Sequence, residues 1–389
     1  MSSIRILIPW SNVDVFTFGK SSVYGYDSLN HCLIVHSLVQ LNNLNDISTD
    51  RLYFSSSPTW PIRRIILNED ETVVALLADK IAYLVYLNAP TPSKGSRLCP
   101  ILRVLPSIPS SSSISINCSL IDFVWLTSKH FAIVYSLPSA SECHLYTIRS
   151  TKQDGIEPIR TYSVGYLPTN KFGTPNKKIS LHQPSDIIKL DTIKRKENHI
   201  ELILLFAMKT DGDIFVVEID SNQLDFSGEF QGPIRILPSI FDNYGADHGQ
   251  STFICLSNSN SSLLVFTRDK CQLNQCIILS PSVNQYYLFT IDSILLSTNE
   301  NGKILLNIIR DSFSPNRYFI SDSMANVYSI EIPWIEQIQQ GFKQLNPTHL
   351  QHLINGGNGK NKIEQMSAIQ TNNNEQYLAV IIKSQQKVN

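Results

Sequence analysis

The chain has 389 residues, of which 42% are hydrophobic and only 17% are charged, and its formal net charge at pH 7 is -1. This length allows two ordinary domains or one large all-β domain with a substantial core. With 32 Lys and Arg residues against 33 Asp and Glu residues, no basic excess is available to neutralise a phosphate backbone, so the composition argues against nucleic-acid binding.

The 7 cysteines are odd in number and scattered along the chain. This favours buried thiols in a reducing compartment over a disulfide framework. The apolar run before Pro9 is too short for the core of a signal peptide, and no stretch reaches the roughly 18–20 apolar residues of a membrane span. We therefore expect an intracellular protein that is soluble or held peripherally by partners.

Short apolar or alternating runs rich in Val, Ile, Tyr and Phe recur along the chain, and such runs are typical of β-strands. In chain order they are 14–18, 31–39, 61–67, 72–78, 81–87, 119–126, 130–137, 143–148, 200–208, 213–219, 252–256, 263–267, 276–280, 286–291, 303–309, 326–332 and 377–382. Turn signals such as NEDE and KTDGD separate them. No run before residue 333 keeps a helical period for three turns, so we predict an all-β chain.

So many short strands exceed a single sandwich, and a four-stranded propeller blade occupies ~40–50 residues. We therefore predict a β-propeller of about seven blades. Residues 60–87 show the rhythm of one blade: a strand, an acidic turn, and two strands that are apolar almost throughout. Such strands are expected where neighbouring blades cover both faces. The chain has no Trp-Asp dipeptide, which argues against a WD40 assignment.

The stretch ANVYSIEIPWIEQIQQGF (325–342) alternates as a strand and then changes to helical spacing after Pro333. Proline suits the first turn of a helix, so we predict a short C-terminal helix there. Its apolar stripe consists of Trp334, Ile335, Ile338 and Phe342. The stripe either covers the edge of a blade or accepts a partner helix in a groove, and both roles are compatible.

The sequence DNYG (242–245) is a turn, with Asn243 and Gly245 available for positive φ. Tyr244 at its tip is either an ordinary turn residue or an aromatic anchor for a partner. The basic run Lys194-Arg195-Lys196 is predicted to be a solvated loop and is a weaker candidate for a contact with an acidic partner. Asp122, beside the FVW strand, is also a weaker candidate.

Signals for catalysis or metal binding are poor. Asp211 and Asp213 flank a glycine as in a calcium loop, but no bidentate Glu follows at the required offset, so a hairpin turn is predicted. Cys271 and Cys276 lack the further ligands that a zinc site needs. We expect no catalytic residue, no metal and no cofactor, and the sequence predicts a protein that is not an enzyme.

Four stretches of the chain, taken together and in order, resemble the β-propeller of the nucleoporin eighty-eight family at the cytoplasmic face of the nuclear pore complex. They are residues 60–87, residues 200–219 with the DGDIF turn, residues 233–256 with the LP step and NYG turn, and residues 317–342 with Arg-Tyr, Val-x-Ser and Trp-Ile. The resemblance covers roughly residues 13 to 345.

The resemblance implies a scaffold nucleoporin without catalytic activity. Its implied partners are the autoproteolytic domain of an FG-repeat nucleoporin and a helical tail of a cytoplasmic-filament nucleoporin. Its implied role is to support mRNA export, ribosomal subunit export and protein transport, without direct nucleic-acid contact or membrane insertion. The predicted division is a propeller over 1–345, followed by an Asn/Gln-rich linker and the final strand of an incomplete last blade over 346–389.

This chain stops where the family completes its last blade and continues into a long coiled coil, so we expect either a truncated chain or a propeller that is left open. Two other classes of protein remain as alternatives. A non-nucleoporin propeller adaptor, for a vesicle coat or the cytoskeleton, shares the composition. A propeller hydrolase would need converging carboxylates or a triad at the channel mouth, and the sequence shows few acidic residues outside turns.

Overall fold

The computed structural model describes most of the chain in segments. These segments are residues 13–20, 22–37, 49–87, 97–104, 106, 118–137, 141–148, 155–164, 186–197, 200–220, 226, 228–237, 252–258, 261–268, 272–282, 285–295, 305–311, 313–339, 348–354, 361–370 and 376–384. In these segments every regular element but one is a strand. No helix among them is long and apolar enough to cross a membrane.

The first three sheets, which we call blades one to three, have four or five strands each. Blade one contains β1 (Val13–Phe18), β2 (Ser22–Asp27), β3 (Cys32–Ser37), β4 (Thr49–Phe54) and β8 (Arg97–Cys99). Blade two contains β5 (Ile62–Leu67), β6 (Val73–Ala78), β7 (Ala82–Tyr86), β9 (Ile101–Val104) and β13 (Gly155–Ile156). Blade three contains β10 (Ser119–Trp125), β11 (His130–Ser136), β12 (Ser141–Thr147) and β14 (Arg160–Ser163).

The remaining sheets are blades four to six and a two-stranded sheet. Blade four contains β15 (Ile187–Glu197), β16 (Ile200–Lys209) and β17 (Ile214–Asp220). Blade five contains β18 (Arg235–Leu237), β19 (Phe253–Asn258), β20 (Ser261–Arg268), β21 (Gln272–Ser282) and β22 (Gln285–Leu295). Blade six contains β23 (Leu305–Arg310), β24 (Arg317–Asp322), β25 (Val327–Glu331) and β26 (His349–Ile354), and the two-stranded sheet pairs β27 (Asn361–Gln370) with β28 (Gln376–Ser384).

The sheets form a ring. The first strands of successive sheets pack against one another: β1 contacts β5, β15 contacts β10 and β19, and β23 contacts β19 and β27. Blades two and three share one apolar cluster, and β27 contacts β1. In the part of the chain that the structure describes, the fold is therefore an all-β propeller with six blades of three or more strands and a two-stranded sheet that packs against β1. The predicted count of about seven blades stays a prediction.

The core lies between the blades, because neighbouring sheets bury each other's faces. All six residues of β6 and the first six of β11 are buried. Both strands are apolar almost throughout, as strands covered on both faces should be. The predicted rhythm of residues 60–87 is confirmed, since β5, β6 and β7 are neighbours in that order.

Six of the seven first strands carry a register shift near their start, where one residue has no partner in the next strand. The six extra residues are Asp14, Arg63, Ile121, Ile188, Leu306 and Glu364. A β-bulge bends the strand and re-aims the side chains beside it. The residues just after three of these bulges are Arg64, Asp122 and Lys189, which meet at the site described below.

Connecting segments cover the outer edges of several blades. Three very short strands, β8, β13 and β18, pair in parallel with β4, β9 and β22. At blade four, Gln231 exchanges backbone hydrogen bonds with Val216 of β17. Covered edges lack the row of unpaired amides that invites another chain to pair.

Three sequence predictions need correction. The helix forms as α1 (Trp334–Gln339), but β26 to β28 follow it, so it is not C-terminal. Parts of the predicted linker form β26 and β27; in β27 the bulge at Glu364 breaks the period-2 pattern and hides the strand. The basic run Lys194-Arg195-Lys196 lies within β15, hydrogen-bonded to β16, and is not a loop.

Candidate functional site

The helix α1 is fixed to blades five and six. Trp334 and Ile335 are each 1% exposed and belong to an apolar cluster with Tyr318, Ile330 and Ile332. The indole Nε1 of Trp334 donates to Thr348 Oγ1 at 3.2 Å. Trp334 and Ile335, the first two residues of the predicted stripe, therefore cover the edge of a blade, because their side chains are buried against it.

A polar network supports the indole. Thr348 Oγ1 lies 2.5 Å from Asp292 Oδ2 and 3.1 Å from Gln275 Oε1. The Gln275 amide donates in turn to the Tyr318 hydroxyl at 2.8 Å. Burial raises the pKa of Tyr318 well above its usual range, so the hydroxyl stays neutral. The network joins strands of blades five and six to the segment that follows α1.

The side chains of the other predicted partner-binding residues lie outside the described part of the structure. Ile338 lies in α1, but its side chain is outside the described part of the structure. Phe342, Asn243 and Tyr244 are outside the described residues altogether. The predicted contact of these residues with partners stays a prediction.

An apolar patch lies beside the helix cluster, on the face of blade five that is turned toward blade six. Leu279 is 42% exposed and Phe289 is 41% exposed. Leu279 is paired with Tyr287 and Phe289 with Ile277, so all four side chains share one face of the sheet. Ile277 packs against the cluster that contains Trp334. We call these four residues the blade-five patch. The sequence analysis missed it because a strand pattern does not show where the next blade stops covering a face.

A second feature that the sequence analysis did not find is a set of ion pairs between the first strands of different blades. Arg64 Nη2 of β5 donates to Asp122 Oδ1 of β10 at 2.5 Å. The other carboxylate oxygen accepts the backbone amide of Leu190 in β15 at 2.7 Å. Burial alone would raise the pKa of Asp122, but the charges of Arg64 and Lys189 and these hydrogen bonds hold the pKa below its usual value.

The pattern recurs one blade further on. Asp191 of β15 is ion-paired with Arg310 of β23, and its other oxygen accepts the backbone amide of Cys255 in β19 at 2.7 Å. Arg310 also donates to the backbone oxygen of Thr192 at 3.1 Å. Each carboxylate thus joins the first strands of three successive blades.

The basic run contributes to the same set of contacts. Lys194 of β15 is ion-paired with Glu69 in the turn after β5. Both side chains are well exposed, at 40% and 64%, so solvent screens this pair more than the two carboxylate sites. A sequence signal existed for Asp122, since it interrupts the apolar run of the predicted strand 119–126. Asp191 lies outside the strands predicted from the sequence.

The DGDIF stretch forms the hairpin turn between β16 and β17, where Gly212 adopts a φ of 86° and the Asp213 amide donates to Asp211 at 3.0 Å. The cysteines that the structure describes are buried. In the described segments no group of three His, Cys, Asp or Glu residues is arranged to hold a metal ion.

Comparison with solved structures shows similarity over almost the whole chain. A chain in the Chaetomium thermophilum heterotrimeric Nup82 NTD-Nup159 TAIL-Nup145N APD complex matches with a TM-score of 0.65 and 8% identity, covering 95% of this chain and 93% of the other. A chain in the yeast heterotrimeric Nup82-Nup159-Nup116 nucleoporin complex matches with a TM-score of 0.58 and 10% identity, covering 94% and 95%.

These two chains share the β-propeller fold with this protein. No family model matches the sequence, and no curated protein matches it. Identities of 8% and 10% establish the fold alone, because unrelated functions can occupy one fold.

Proposed function

We propose that this chain is a scaffold nucleoporin whose propeller binds other nucleoporins at the nuclear pore complex. The observation that carries the proposal is the end-to-end match with propeller chains of two heterotrimeric Nup82 complexes, where more than nine-tenths of both chains superpose. The four sequence stretches that resemble the nucleoporin eighty-eight family support the same assignment independently of the fold.

The proposed partners are a helical nucleoporin tail and the autoproteolytic domain of an FG-repeat nucleoporin. The blade-five patch supports the first partner, because an amphipathic helix binds by placing an apolar face against an apolar surface. Exposed aromatic and aliphatic side chains grouped on one face are the usual anchors of such contacts. The proposed location is the cytoplasmic face of the pore, in support of mRNA export, ribosomal subunit export and protein transport.

We further propose that the chain is not an enzyme. The two buried or nearly buried carboxylates on the first strands, Asp122 and Asp191, are each occupied by an arginine and a backbone amide. A carboxylate held in this way is a structural group, whereas a general acid or nucleophile needs to face its substrate. This arrangement supports a binding role over a hydrolytic one.

The test is to mix the purified chain with each candidate partner and to measure the molar mass of the product by size-exclusion chromatography with light scattering. A stable one-to-one complex with the tail helix or the autoproteolytic domain is expected. A folded, monodisperse chain that binds neither partner would contradict the proposal and favour the adaptor alternative. A fluorescent fusion that does not concentrate at the nuclear rim would contradict the proposed location.

A further inference from the structure

The turn between β23 and β24 contains the sequence Ser314-Pro315-Asn316-Arg317. It places a proline directly after a serine hydroxyl and a basic residue three positions after it. Proline-directed protein kinases select this pattern for two physical reasons. Their pocket for the residue after the acceptor offers no partner to a backbone N–H, and proline has no N–H to satisfy. An anionic pocket then pairs with the basic residue.

The structure favours Ser314 over Ser57, another serine that precedes a proline. Pro315 is exposed and Ser314 is half-buried. Ser57 is exposed, but Pro58 after it is buried, and the residue at the third position is Trp60 rather than a basic one. Short turns between strands open locally at a low free energy compared with the core. Ser314 therefore has the complete pattern in a segment that a kinase can reach.

The side chain of Arg317 is bound to a buried carboxylate. Its Nε donates to Asp311 Oδ2 at 2.5 Å. The Asp311 side chain is 1% exposed, whereas that of Arg317 is 24% exposed. Asp311 also accepts the backbone amide of Phe313 at 3.0 Å. This carboxylate therefore holds both ends of the turn, and Arg317 supplies the opposite charge that its burial requires.

A phosphate on Ser314 lies beside the same arginine. The Ser314 backbone oxygen accepts the Arg317 amide at 3.1 Å, so the two residues are the ends of one β-turn, with Cα atoms within about 7 Å of each other. A phosphoserine carries a charge of about -1.5 to -2 at pH 7, and a guanidinium binds phosphate through two parallel hydrogen bonds. The phosphate therefore competes with Asp311 for Arg317, and a buried carboxylate that loses its cation is strongly destabilised.

The turn is also joined to the segment that enters α1. The Asn316 backbone oxygen accepts the Ile332 amide at 2.8 Å. Ile332 is 0% exposed and belongs to the same apolar cluster as Trp334. Opening the turn therefore takes an acceptor away from the strand end that precedes the helix.

We propose that Ser314 is a phosphorylation site for a proline-directed kinase, and that its phosphate loosens the attachment of α1 by drawing Arg317 away from Asp311. In the transfer, Ser314 Oγ forms a bond to the γ-phosphorus of ATP while the bond from that phosphorus to the β,γ-bridging oxygen breaks. ADP leaves, and the hydroxyl proton passes to the catalytic base of the kinase. This modification does not depend on which partner the propeller binds.

Treatment of the intact chain with a purified cyclin-dependent kinase and ATP, followed by peptide mapping with mass spectrometry, tests the site. The same sequence pattern occurs at Thr91 and Thr174, outside the described residues, so each site is followed in its own peptide. Ser314 is expected to be modified and Ser57 is not. A folded chain in which Ser314 stays unmodified would overturn the proposal. This measurement needs no variant and therefore does not depend on whether a variant folds.

The exposed Pro315 offers a variant that keeps both Ser314 and Arg317. Pro315→Ala should slow the modification of Ser314 about tenfold or more, the effect of one unpaired amide donor in the kinase pocket. The matched control is Ser57→Ala, which should leave the rate at Ser314 unchanged. If Pro315→Ala is modified as fast as the parent chain, the reaction is not proline-directed and the proposal is wrong.

Amide hydrogen exchange tests the effect of the phosphate on α1. In the phosphorylated chain, a peptide of residues 327–335 should exchange about tenfold faster than in the unmodified chain, while β6 stays as protected as before. The control is Ser314→Ala treated with the same kinase, since it can carry phosphates at other sites but not at this one. Its peptide of residues 327–335 should exchange as in the unmodified chain. Equal exchange in the two treated chains would show that the phosphate does not loosen α1, which contradicts the proposed effect.

Discussion

Arg64 and Asp122 form an ion pair of 2.5 Å across the boundary between blades two and three. The Asp122 side chain is 3% exposed, while Arg64 keeps 42% of its surface in contact with solvent. Because Asp122 also accepts the Leu190 amide, one carboxylate holds the first strands of three blades together.

Replacing Asp122 with Ala should lower the free energy of unfolding by about 2–3 kcal/mol, since the Leu190 amide and the Arg64 guanidinium both lose their acceptor. This loss of unfolding free energy is smaller than that expected for a fully buried ion pair, because water partly screens the charge of Arg64. Urea unfolding measures the change. The neighbouring pair of Arg63 with Asp79 is more exposed, at 71% and 35%, so Arg63→Ala is the control and should cost less than about 1 kcal/mol. Equal losses in both variants would contradict the assigned role of Asp122.

The lowered pKa of Asp122 predicts that the stability of the fold depends on pH. The pKa of Asp122 is lowered in the folded state, so the folded protein binds fewer protons than the unfolded chain near the ordinary Asp value of about 4. The stabilisation is therefore present above that value and is lost as the pH falls through the lowered pKa. Unfolding measured between pH 7 and pH 3 should show a shallower loss in Asp122→Asn than in the parent chain. Parallel curves would show that another group causes the acid sensitivity.

Trp334 and Trp60 offer a matched comparison of two indoles. Trp334 is 1% exposed, whereas Trp60 is 42% exposed and has Lys80 over its ring. Trp334→Ala should reduce the free energy of unfolding by about 3–5 kcal/mol, because it empties a large buried volume. Trp60→Ala should change it by less than about 1 kcal/mol. A thermal melt of Trp334→Ala that coincides with the parent chain would contradict the packing role of α1.

Gly232 allows no side chain. Its φ is 146°, and a Cβ atom there would lie 2.7 Å from the Phe215 ring and 2.9 Å from the backbone oxygen of Ile214. Gly232→Ala should destabilise the edge of blade four by about 1–3 kcal/mol. At Gly228 the nearest atom would be 3.2 Å away, so Gly228→Ala should have a smaller effect. Circular dichroism melts of both variants provide the measurement, and the opposite ranking would refute the clash.

A substitution in the blade-five patch should weaken partner binding without destabilising the fold. Phe289→Ser should weaken binding of the tail helix about tenfold or more, the effect of losing one aromatic anchor, and should leave the melting temperature nearly unchanged. Isothermal titration calorimetry gives the affinity. Leu98→Ser is the control, because Leu98 is 53% exposed but lies on β8 of blade one. If both variants bind as the parent does, the helix docks elsewhere.

The sequence predicted the features that depend on local pattern. The apolar runs of β6 and β7 indicated strands covered on both faces, and Pro333-Trp334 marked the start of the helix. The sequence did not predict which charges meet, because Arg64 and Asp122 are 58 residues apart and Asp191 and Arg310 are 119 apart. Whether residues so far apart in the sequence come into contact depends on the order of the blades around the ring. β27 escaped prediction for a different reason, since its bulge interrupts the alternation of Ile363 with Met366 and Ala368.

The short edge strands have a consequence for how the protein is made. β8 completes the edge of β4 but is synthesised only after β5, β6 and β7, and β13 completes the edge of β9 only after β10, β11 and β12. A nascent chain therefore holds an unfinished blade until most of the following blade has left the ribosome. If translation stops between two blades, the blade that still lacks its short edge strand keeps an open edge, and neighbouring nascent chains can pair with that edge.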